Sequence, residues 1–219
     1  MQQDPEKKEE KLMQWCLSSV AGKILEVGCG NGRLTGHLAQ IADNLIALDP
    51  YLEELTSARR HVDMPAKFIA ASGEWLPIGV NSIDAVVFTL SLHHQTPHKA
   101  LGEACRVLKK DGLILVLEPS AESLVTRLFA VLDDESGKYK LAGKAICRSG
   151  LKVVHSGSFT TRWIFDDFNE MVSYIFVFFD MEPDIENKNI MAQLIGDRRR
   201  EKPLSIEDIT RYWVLRERS

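Results

Sequence analysis

Features that commonly fix the class of a protein are scarce in this sequence. The four cysteines stand far apart and form no Cys-x-x-Cys pair, so they favour neither a zinc site nor a disulfide framework. No apolar run approaches the ~20 residues that a membrane-spanning helix needs. The first residues, MQQDPEKKEEK, are charged rather than apolar. We therefore expect a soluble, cytoplasmic protein with no membrane partner.

An excess of positive charge is also missing. Lys and Arg number 27 against 31 Asp and Glu, which gives a formal net charge of -4. No global field therefore draws the chain toward nucleic acid. Hydrophobic residues make up 45% of the 219 residues, which is enough for one buried core. We expect a single domain over residues 1–219, and the sequence leaves its oligomeric state open.

Short apolar runs alternate with helical patterns over the first half of the chain. The runs lie at 23–27, 45–48, 66–70, 85–89 and 113–117. Runs of this kind are typical of strands that are buried on both faces. Helical patterns separate them at 33–41, 52–61 and 98–108. The alternation predicts an α/β doubly wound sheet with five parallel strands.

The remaining segments complete the expected domain. Apolar residues at helical spacing predict a cap helix within residues 1–20. The sheet core then covers 21–159, with a helix at 138–149 and a sixth strand at 151–159. The bulky, alternating C-terminus predicts a last strand within 210–219.

The segment at 160–209 is too long for a hairpin loop, and we interpret it as a helical lid. Asp167 and Glu170 form a capping box, and apolar residues then repeat at helical spacing. A second helix is predicted to begin at Asp184. Aromatic residues at 163–165 and 174–179 are candidates for an apolar acceptor pocket, although such residues more often form core.

The residues that follow the first predicted strand indicate a ligand. In Glu26-x-Gly28-x-Gly30-x-Gly32 the absent side chains let the main chain approach a bound molecule closely. A dinucleotide fingerprint, G-x-G-x-x-G, would place its third glycine at position 33, which is Arg33 here. The spacing and Glu26 instead favour a ligand without phosphate and with a cationic amino acid part.

Asp49 ends the second predicted strand, where a carboxylate can accept hydrogen bonds from both hydroxyls of a ribose. NAD sites also bind the ribose through a carboxylate at this place. Asp49 therefore predicts a nucleoside, while the glycine spacing decides which nucleoside is favoured.

Four motifs in this order resemble class I S-adenosylmethionine-dependent methyltransferases, in particular the methyltransferase type 11 domain. They are ILEVGCGNG, LIALDP, ASGEWLPIGVNSIDAVVFTLSLHH and ALGEACRVLKKDGLILVLEPS, and together they span about residues 20–120. The resemblance implies a Rossmann-like, mostly parallel seven-stranded sheet with an antiparallel last strand. It also implies S-adenosyl-L-methionine as cofactor and S-adenosyl-L-homocysteine as product.

The resemblance places Glu26 and the glycine turn around the methionine part, Asp49 on the ribose, and Pro50 with Tyr51 beside the adenine. Backbone carbonyls at the end of the fourth predicted strand would receive the amino group of the cofactor. The implied cofactor-binding residues are Glu26, Gly28, Cys29, Gly30, Asn31, Gly32, Asp49, Pro50, Tyr51, Ser72, Gly73, Glu74, Thr89 and Leu90.

One position departs from the family pattern. Ser72 stands where the family usually has an Asp that accepts a hydrogen bond from the adenine amino group. Ser72 can accept such a bond without a charge, and Glu74 or backbone groups are the alternatives.

The acceptor side offers three candidate catalytic residues. His93 and His94 follow the fourth predicted strand, and either imidazole could act as a general base. Glu118 ends the fifth predicted strand and faces the same cleft. No carboxylate or cysteine stands at a spacing that would make the histidines a zinc site, so we predict no metal.

The sequence thus predicts methyl transfer from S-adenosylmethionine to a small or medium-sized, partly apolar acceptor by direct displacement. Three alternatives stay open. The chain could bind the cofactor as a regulatory protein without turnover, it could be a nucleotide-dependent oxidoreductase, or it could methylate a macromolecule.

Overall fold

The computed structural model describes residues 1–20 and 22–218. Ala21, the first residue of the predicted core, and Ser219, the last of the predicted final strand, lie outside the described residues. The chain divides into two compact units. The smaller unit comprises Met1–Glu9, Pro119–Tyr139 and Ser158–Thr210, and the larger unit comprises Glu10–Glu118, Lys140–Gly157 and Arg211–Ser219. The expectation of one methyltransferase domain over 1–219 stays a prediction.

Eight strands form one mixed sheet within the described residues. Along the chain they are β1 (Gln2–Gln3), β2 (Lys23–Val27), β3 (Asn44–Asp49), β4 (Ala66–Ala70), β5 (Ile83–Thr89), β6 (Leu108–Pro119), β7 (Lys152–Phe165) and β8 (Leu204–Arg216). Their order in the sheet is β1-β7-β8-β6-β5-β2-β3-β4. β1 pairs antiparallel with β7, whereas β2 to β6 pair parallel to one another.

The helices connect these strands as a doubly wound fold requires. They are α1 (Lys8–Leu17), α2 (Thr35–Ile41), α3 (Leu52–His61), α4 (Pro97–Val107), α5 (Leu124–Phe129), α6 (Ser136–Arg148), α7 (Phe168–Phe178) and α8 (Ile185–Ile195). Short 3-10 helices lie at Leu92–His94 and Gly196–Arg200. No helix in 1–20 or 22–218 is both long enough and apolar enough to span a membrane.

The predicted α/β class and the five parallel strands are confirmed. β2 lies between β3 and β5, and the crossovers on either side of it lead in opposite directions along the sheet. The register pairs Val27 with Leu48 on one side and with Phe88 on the other, so the carboxyl ends of three strands are level. Ligands of open α/β sheets bind at such a switch point.

Each unit has its own apolar core. In the larger unit the side chains of Leu25, Val27, Val86 and Phe88 are fully buried between the helices. In the smaller unit Phe165, Met171, Ile175 and other apolar residues form a separate cluster. The continuous Ile, Leu and Val runs of β2, β3 and β5 are therefore explained by burial on both faces.

Three details of the predicted architecture are wrong. The described sheet has eight strands rather than seven, because Gln2 and Gln3 pair with Ile164 and Trp163 of β7. β7 continues to Phe165 rather than ending at 159, and β8 begins at Leu204. In both extensions buried and more exposed residues alternate, as in Thr161, Trp163 and Phe165, and this period of two is a strand signal.

The helical segment before the last strand is shorter than predicted as a result. The stretch 163–165 belongs to β7, and the two predicted helices are α7 and α8. Both begin where expected: Asp167 caps α7 by accepting from the backbone N–H groups of Asn169 and Glu170, and Asp184 caps α8 by accepting from that of Asn187. The short helix α5 has no counterpart in the prediction.

Candidate functional site

The predicted cofactor-binding residues lie in the larger unit at the carboxyl ends of β2 to β5. Glu26 is near the end of β2, Asp49 ends β3, and Thr89 ends β5. Ser72 to Glu74 follow β4 in the chain. The fold therefore brings residues from four separate motifs to one edge of the sheet.

The glycine turn between β2 and α2 has a backbone that only glycine adopts without strain. Gly28 has a φ of +75°, and a Cβ at this position would stand 2.5 Å from the Cβ of Ser91. Gly30 has a φ of +51°, but a Cβ there would meet only Glu54 Oε2, at 3.8 Å. Gly28 is thus needed for packing within the chain, whereas Gly30 borders open space that a ligand can enter.

Asp49 joins the glycine turn to the start of α3. Its Oδ2 accepts a hydrogen bond from the Gly30 N–H at 2.9 Å, and its Oδ1 accepts one from the Tyr51 N–H at 3.0 Å. The side chain is buried, yet each carboxylate oxygen has capacity for a further hydrogen bond. These two hydrogen bonds fix the orientation of the carboxylate at the edge of the glycine turn.

Glu26 is a fully buried carboxylate. Its Oε2 accepts from the Thr35 hydroxyl at 2.7 Å and its Oε1 from the Thr89 hydroxyl at 2.9 Å. Burial raises the pKa of Glu26 to about 7, and the two hydroxyls and the more distant Arg33 only partly offset this. A ligand cation placed nearby would favour the charged form of Glu26.

The segment after β4 is held by its own side chains. Glu74 Oε1 accepts from the Thr96 N–H at 2.7 Å, and this bond is the main reason why the pKa of Glu74 lies below its usual value. Ser72 Oγ accepts from the Glu74 N–H at 3.2 Å. A Cβ on Gly73 would stand 2.1 Å from Gln95 Oε1. Ser72 and Glu74, the two side chains that could replace the missing Asp, therefore both accept hydrogen bonds within the chain. Their contact with adenine stays a prediction.

The end of β5 carries a strained residue. Leu90 has a φ of +57°, in the left-handed region that branched, bulky side chains rarely adopt. Its N–H donates to the Leu117 carbonyl of β6 at 2.9 Å, which holds the turn in place. Strain of this kind is often found at ligand sites, and it supports the predicted role of Thr89 and Leu90.

His93 and Glu118 form a buried pair in the larger unit. His93 Nδ1 lies 2.7 Å from Glu118 Oε2, and both side chains are nearly inaccessible to solvent. Glu118 Oε1 accepts from the backbone N–H groups of Leu92 and His93. The ring of the exposed His94 contacts that of His93 at a tilt of 46°, with centroids 3.9 Å apart. Two of the three candidate catalytic residues, His93 and Glu118, are therefore hydrogen-bonded to each other.

The other predicted contacts differ in exposure. Pro50, Tyr51 and Asn31 are exposed, and the Tyr51 side chain is available to cover a nucleoside beside Asp49. Cys29 is buried, and its burial raises the pKa of the thiol far above the usual range. A protonated, buried thiol fits a packing role rather than a reactive one.

Sequence reasoning missed two residues of the site. Thr35 supplies one of the two hydroxyls on Glu26, and Ser91 donates from its hydroxyl to the Val27 carbonyl beside Gly28. Neither follows from spacing, because each partner lies on a different element. Thr35 follows the glycine turn closely in the sequence, which was a weak signal, whereas Ser91 is remote from the turn in the sequence.

Comparison with known proteins finds similarity to methyltransferases. Residues 25–116 match the family model described as a methyltransferase domain. An uncharacterized methyltransferase of Mycobacterium bovis is 31% identical over 100 residues, which are 46% of this chain and 41% of that protein. The mitochondrial arginine-hydroxylase NDUFAF5 of Danio rerio is 33% identical over 103 residues, which are 46% of this chain and 32% of that protein.

A solved structure from Bacillus halodurans, provisionally described as a methyltransferase, shares the fold. Its TM-score is 0.74 at 18% sequence identity, and the match covers 97% of this chain and 100% of that one. The sheet order and the carboxyl-end site define a Rossmann-like α/β protein. The chain is thus similar to methyltransferases over residues 25–116. It spans less than half the length of the two relatives named above.

The residues present fit S-adenosylmethionine. Gly30 leaves space beside Asp49, and the buried Glu26 carboxylate receives hydroxyl hydrogen bonds on both oxygens. A ligand that brings a ribose and a positive charge to this edge would complement both carboxylates. A pyrophosphate would instead bring negative charge toward Glu26, which disfavours a dinucleotide.

Proposed function

We propose that the larger unit binds S-adenosylmethionine and that the protein transfers its methyl group to a small or medium-sized, partly apolar acceptor. The observation that carries the proposal is the geometry of Asp49, whose two oxygens are fixed by Gly30 and Tyr51 at the edge of the open glycine turn. We assign the ribose to Asp49 and the methionine part to the turn at 28–32.

Glu26 supports the choice of this nucleoside over others. A carboxylate without a nearby cation is costly in a buried position, and here burial raises its pKa to about 7. The α-ammonium and sulfonium groups of S-adenosylmethionine are both cationic. We propose that the negative charge of Glu26 attracts this positive charge across the glycine turn that Glu26 supports.

The bound cofactor would supply a methyl carbon attached to a positively charged sulfur. The chain then has to exclude water and hold the acceptor in line with the bond that breaks. Thr89, the last residue of β5, and Leu90, which follows it, are the residues whose carbonyls we assign to the amino group of the cofactor, because the strained Leu90 turn sets the carbonyls at the strand end.

A small acceptor is favoured over a nucleic acid by the charge balance of -4. The aromatic residues that were candidates for its pocket are largely packed within the smaller unit. Trp163 and Phe165 are buried there, and their rings contact those of Phe129 and Tyr174. A structural role is thus favoured for Trp163 and Phe165, and the acceptor pocket is not assigned to them.

Calorimetric titration of the full chain with S-adenosylmethionine, S-adenosylhomocysteine and NAD tests the cofactor. We expect binding of the first two and none of NAD. Asp49→Ala should lower the affinity for S-adenosylhomocysteine at least tenfold, because a charged hydrogen bond contributes about 1.5–3 kcal/mol. Asp63→Ala, which removes an exposed carboxylate after α3, is the matched control and should bind normally. Binding of NAD alone would refute the proposal.

Turnover is tested by incubating the chain with metabolite extract and cofactor that carries a labelled methyl group. Labelled small molecules and S-adenosylhomocysteine in equal amounts are expected. The similarity to an arginine-hydroxylase favours one second candidate, modification of a macromolecule. Methyl label that stays with protein or RNA would favour this candidate. Cofactor binding without any S-adenosylhomocysteine formed would favour a regulatory protein.

A further inference from the structure

A groove with a volume of about 470 Å³ lies between α4 and α6 in the larger unit. Each helix lines it with residues that recur at intervals of three and four, which places them on one helix face. They include His98, Leu101, Gly102 and Cys105 of α4 and Leu141, Lys144, Ala145 and Arg148 of α6. An added Cβ on Gly102 would meet nothing within 4 Å among the described residues, so the middle of the groove is open.

Apolar and cationic side chains share this groove. Leu141 is a large apolar residue, yet 60% of it is exposed. Lys144 and Arg148 are exposed, and neither side chain forms a hydrogen bond or an ion pair with a described residue. Burial and then the charge of Glu217 raise the pKa of the Cys105 thiol, so an acidic residue also lies nearby. The two cations on α6 still leave the rim of the groove net positive.

The turn from the end of α7 to the start of α8, residues 177–186, has the opposite charge, and we call it the acidic tip. Four of its large apolar residues are between 45% and 79% exposed: Val177, Phe178, Met181 and Ile185. The acidic residues of the tip are Asp180, Glu182, Asp184 and Glu186, and the segment has no basic residue. Exposed apolar side chains that lie together, with polar residues around them, are typical of a binding surface.

Most carboxylates of the acidic tip are available to a cation. Asp184 caps α8 and is engaged there. The side chains of Asp180, Glu182 and Glu186 are exposed, and none of them forms a hydrogen bond or an ion pair with a described residue. Lys188, the first basic residue after the tip, donates to an asparagine of α7. The tip thus presents apolar side chains among carboxylates that lack a cation within the described part of the chain.

The groove and the acidic tip complement each other in charge and in polarity. Contact between them would remove Leu141 and Ile185 from water and would bring opposite charges together. A nucleic acid or an anionic membrane would meet only the cations of the groove and would leave the apolar side chains of the tip exposed. The chain as a whole has a net charge of -4, so the attraction is local to these two surfaces.

We propose that the groove of one copy of this chain binds the acidic tip of a second copy. The two surfaces differ, so the contact is heterologous and leaves one groove and one tip free in every pair of copies. The assembly therefore grows with protein concentration, unless it closes into a ring. None of the residues assigned to the cofactor takes part, so the inference does not depend on the proposed function.

Sedimentation velocity of the full chain at increasing concentrations measures this association. We expect the mean mass to rise with protein concentration and to fall when salt screens the charged groups. A chain that stays monomeric at every concentration at which it remains dissolved would overturn the proposal.

Charge reversal on each surface identifies the contact. Lys144→Glu with Arg148→Glu makes the groove acidic. Asp180→Asn with Glu182→Lys and Glu186→Lys makes the tip net positive. Each variant alone should associate at least about tenfold more weakly, because like charges then face each other. An equal mixture of the two variants, and a chain with all five changes, should associate again because opposite charges meet. A mixture that stays monomeric would contradict the contact.

The apolar part of the contact has its own variants. Ile185→Ser on the tip should weaken association about tenfold, as expected when burial of one large apolar side chain is lost. Gly102→Leu fills the middle of the groove and should weaken association to a similar extent, and Leu141→Ser replaces it if that variant does not fold. Thermal unfolding checks the folding of each variant. Unchanged association in the folded variants would overturn the proposal.

Arg199→Glu with Arg200→Glu is the matched control, because it changes the charge by the same amount on the exposed 3-10 helix of the smaller unit. It should associate as wild type does. If this control loses association and the groove variant does not, the tip binds elsewhere and the proposal is wrong.

Discussion

Thr35 Oγ1 donates a hydrogen bond to Glu26 Oε2 across 2.7 Å, which ties the first turn of α2 to the end of β2. The Thr89 hydroxyl holds the other oxygen from β5. Three elements of the glycine-turn site therefore meet on one buried carboxylate. Hydroxyls stabilise a carboxylate less than a cation does, so the charge on Glu26 lowers the stability of the cofactor-free protein.

The first prediction concerns how stability depends on pH. Burial raises the pKa of Glu26 to about 7, above its value in the unfolded chain. The folded state then holds this proton more tightly, so the destabilising effect grows as the pH rises from about 4.5 through 7. Between pH 5 and pH 8 the effect amounts to about 3 kcal/mol at most. The free energy of unfolding of Glu26→Gln minus that of wild type should therefore be larger at pH 8 than at pH 5.

Urea unfolding of both proteins at the two pH values measures this difference. Glu53→Gln, an exposed change in α3, is the control and should show no pH-dependent difference from wild type. An equal stability difference between wild type and Glu26→Gln at pH 5 and pH 8 would contradict the raised pKa.

The same substitution should have the opposite effect on cofactor affinity. Glu26→Gln keeps the size and one acceptor oxygen but removes the negative charge that we assign to the cationic end of S-adenosylmethionine. We expect the variant to bind S-adenosylmethionine about tenfold more weakly than wild type, or weaker still, at pH 8. The difference should be smaller at pH 5, where wild-type Glu26 is itself protonated. Titration calorimetry at both pH values measures it, and unchanged affinity at pH 8 would remove Glu26 from the cofactor site.

Much of this arrangement could be predicted from the sequence. The predicted strands at 23–27 and 66–70 and the predicted helix at 52–61 have the same bounds as β2, β4 and α3. Asp49 and the glycine turn could be predicted because each lies at the carboxyl end of a strand. Local chemistry also placed the N-caps Asp167 and Asp184.

The features that could not be predicted depend on contacts between residues far apart in the sequence. The Thr35 hydroxyl, the Ser91 hydroxyl and the Glu118–His93 bond each join residues from different elements, so no local pattern contains them. The end of β7 was misplaced because Thr160 to Phe165 lie next to a strong helix signal. The pairing of Gln2 and Gln3 with β7 is two residues long and has no apolar pattern.

A further prediction concerns the space beside Gly28. A Cβ at Gly28 would stand 2.5 Å from Ser91 Cβ, and the backbone has a φ of +75°. Gly28→Ala should therefore lower the free energy of unfolding by about 2 kcal/mol or more. Combining it with Ser91→Gly removes the steric overlap but leaves the backbone strain, so only part of the loss should return.

Thermal unfolding of the two single variants and the double variant separates these contributions. Gly36→Ala in α2, where an added Cβ meets nothing within 4 Å, is the matched control and should be neutral or stabilising. Ser91→Gly alone also removes the hydrogen bond to the Val27 carbonyl, so a loss in the double variant equal to the sum of the two single losses would show that the overlap with Ser91 is not the cause.

Asp208 gives a prediction for the smaller unit. Its Oδ1 accepts from the Ser123 hydroxyl at 2.7 Å and its Oδ2 from the Trp163 indole N–H at 3.2 Å. Asp208→Ala leaves two largely buried donors without this acceptor, so we expect a loss of about 1–3 kcal/mol in the free energy of unfolding.

Trp163→Phe removes one donor and keeps most of the ring, so the two losses should be less than additive in the double variant. Asp197→Ala, in the exposed 3-10 helix, should change stability little. Strict additivity in urea unfolding would show that the indole N–H and the Asp208 carboxylate do not interact.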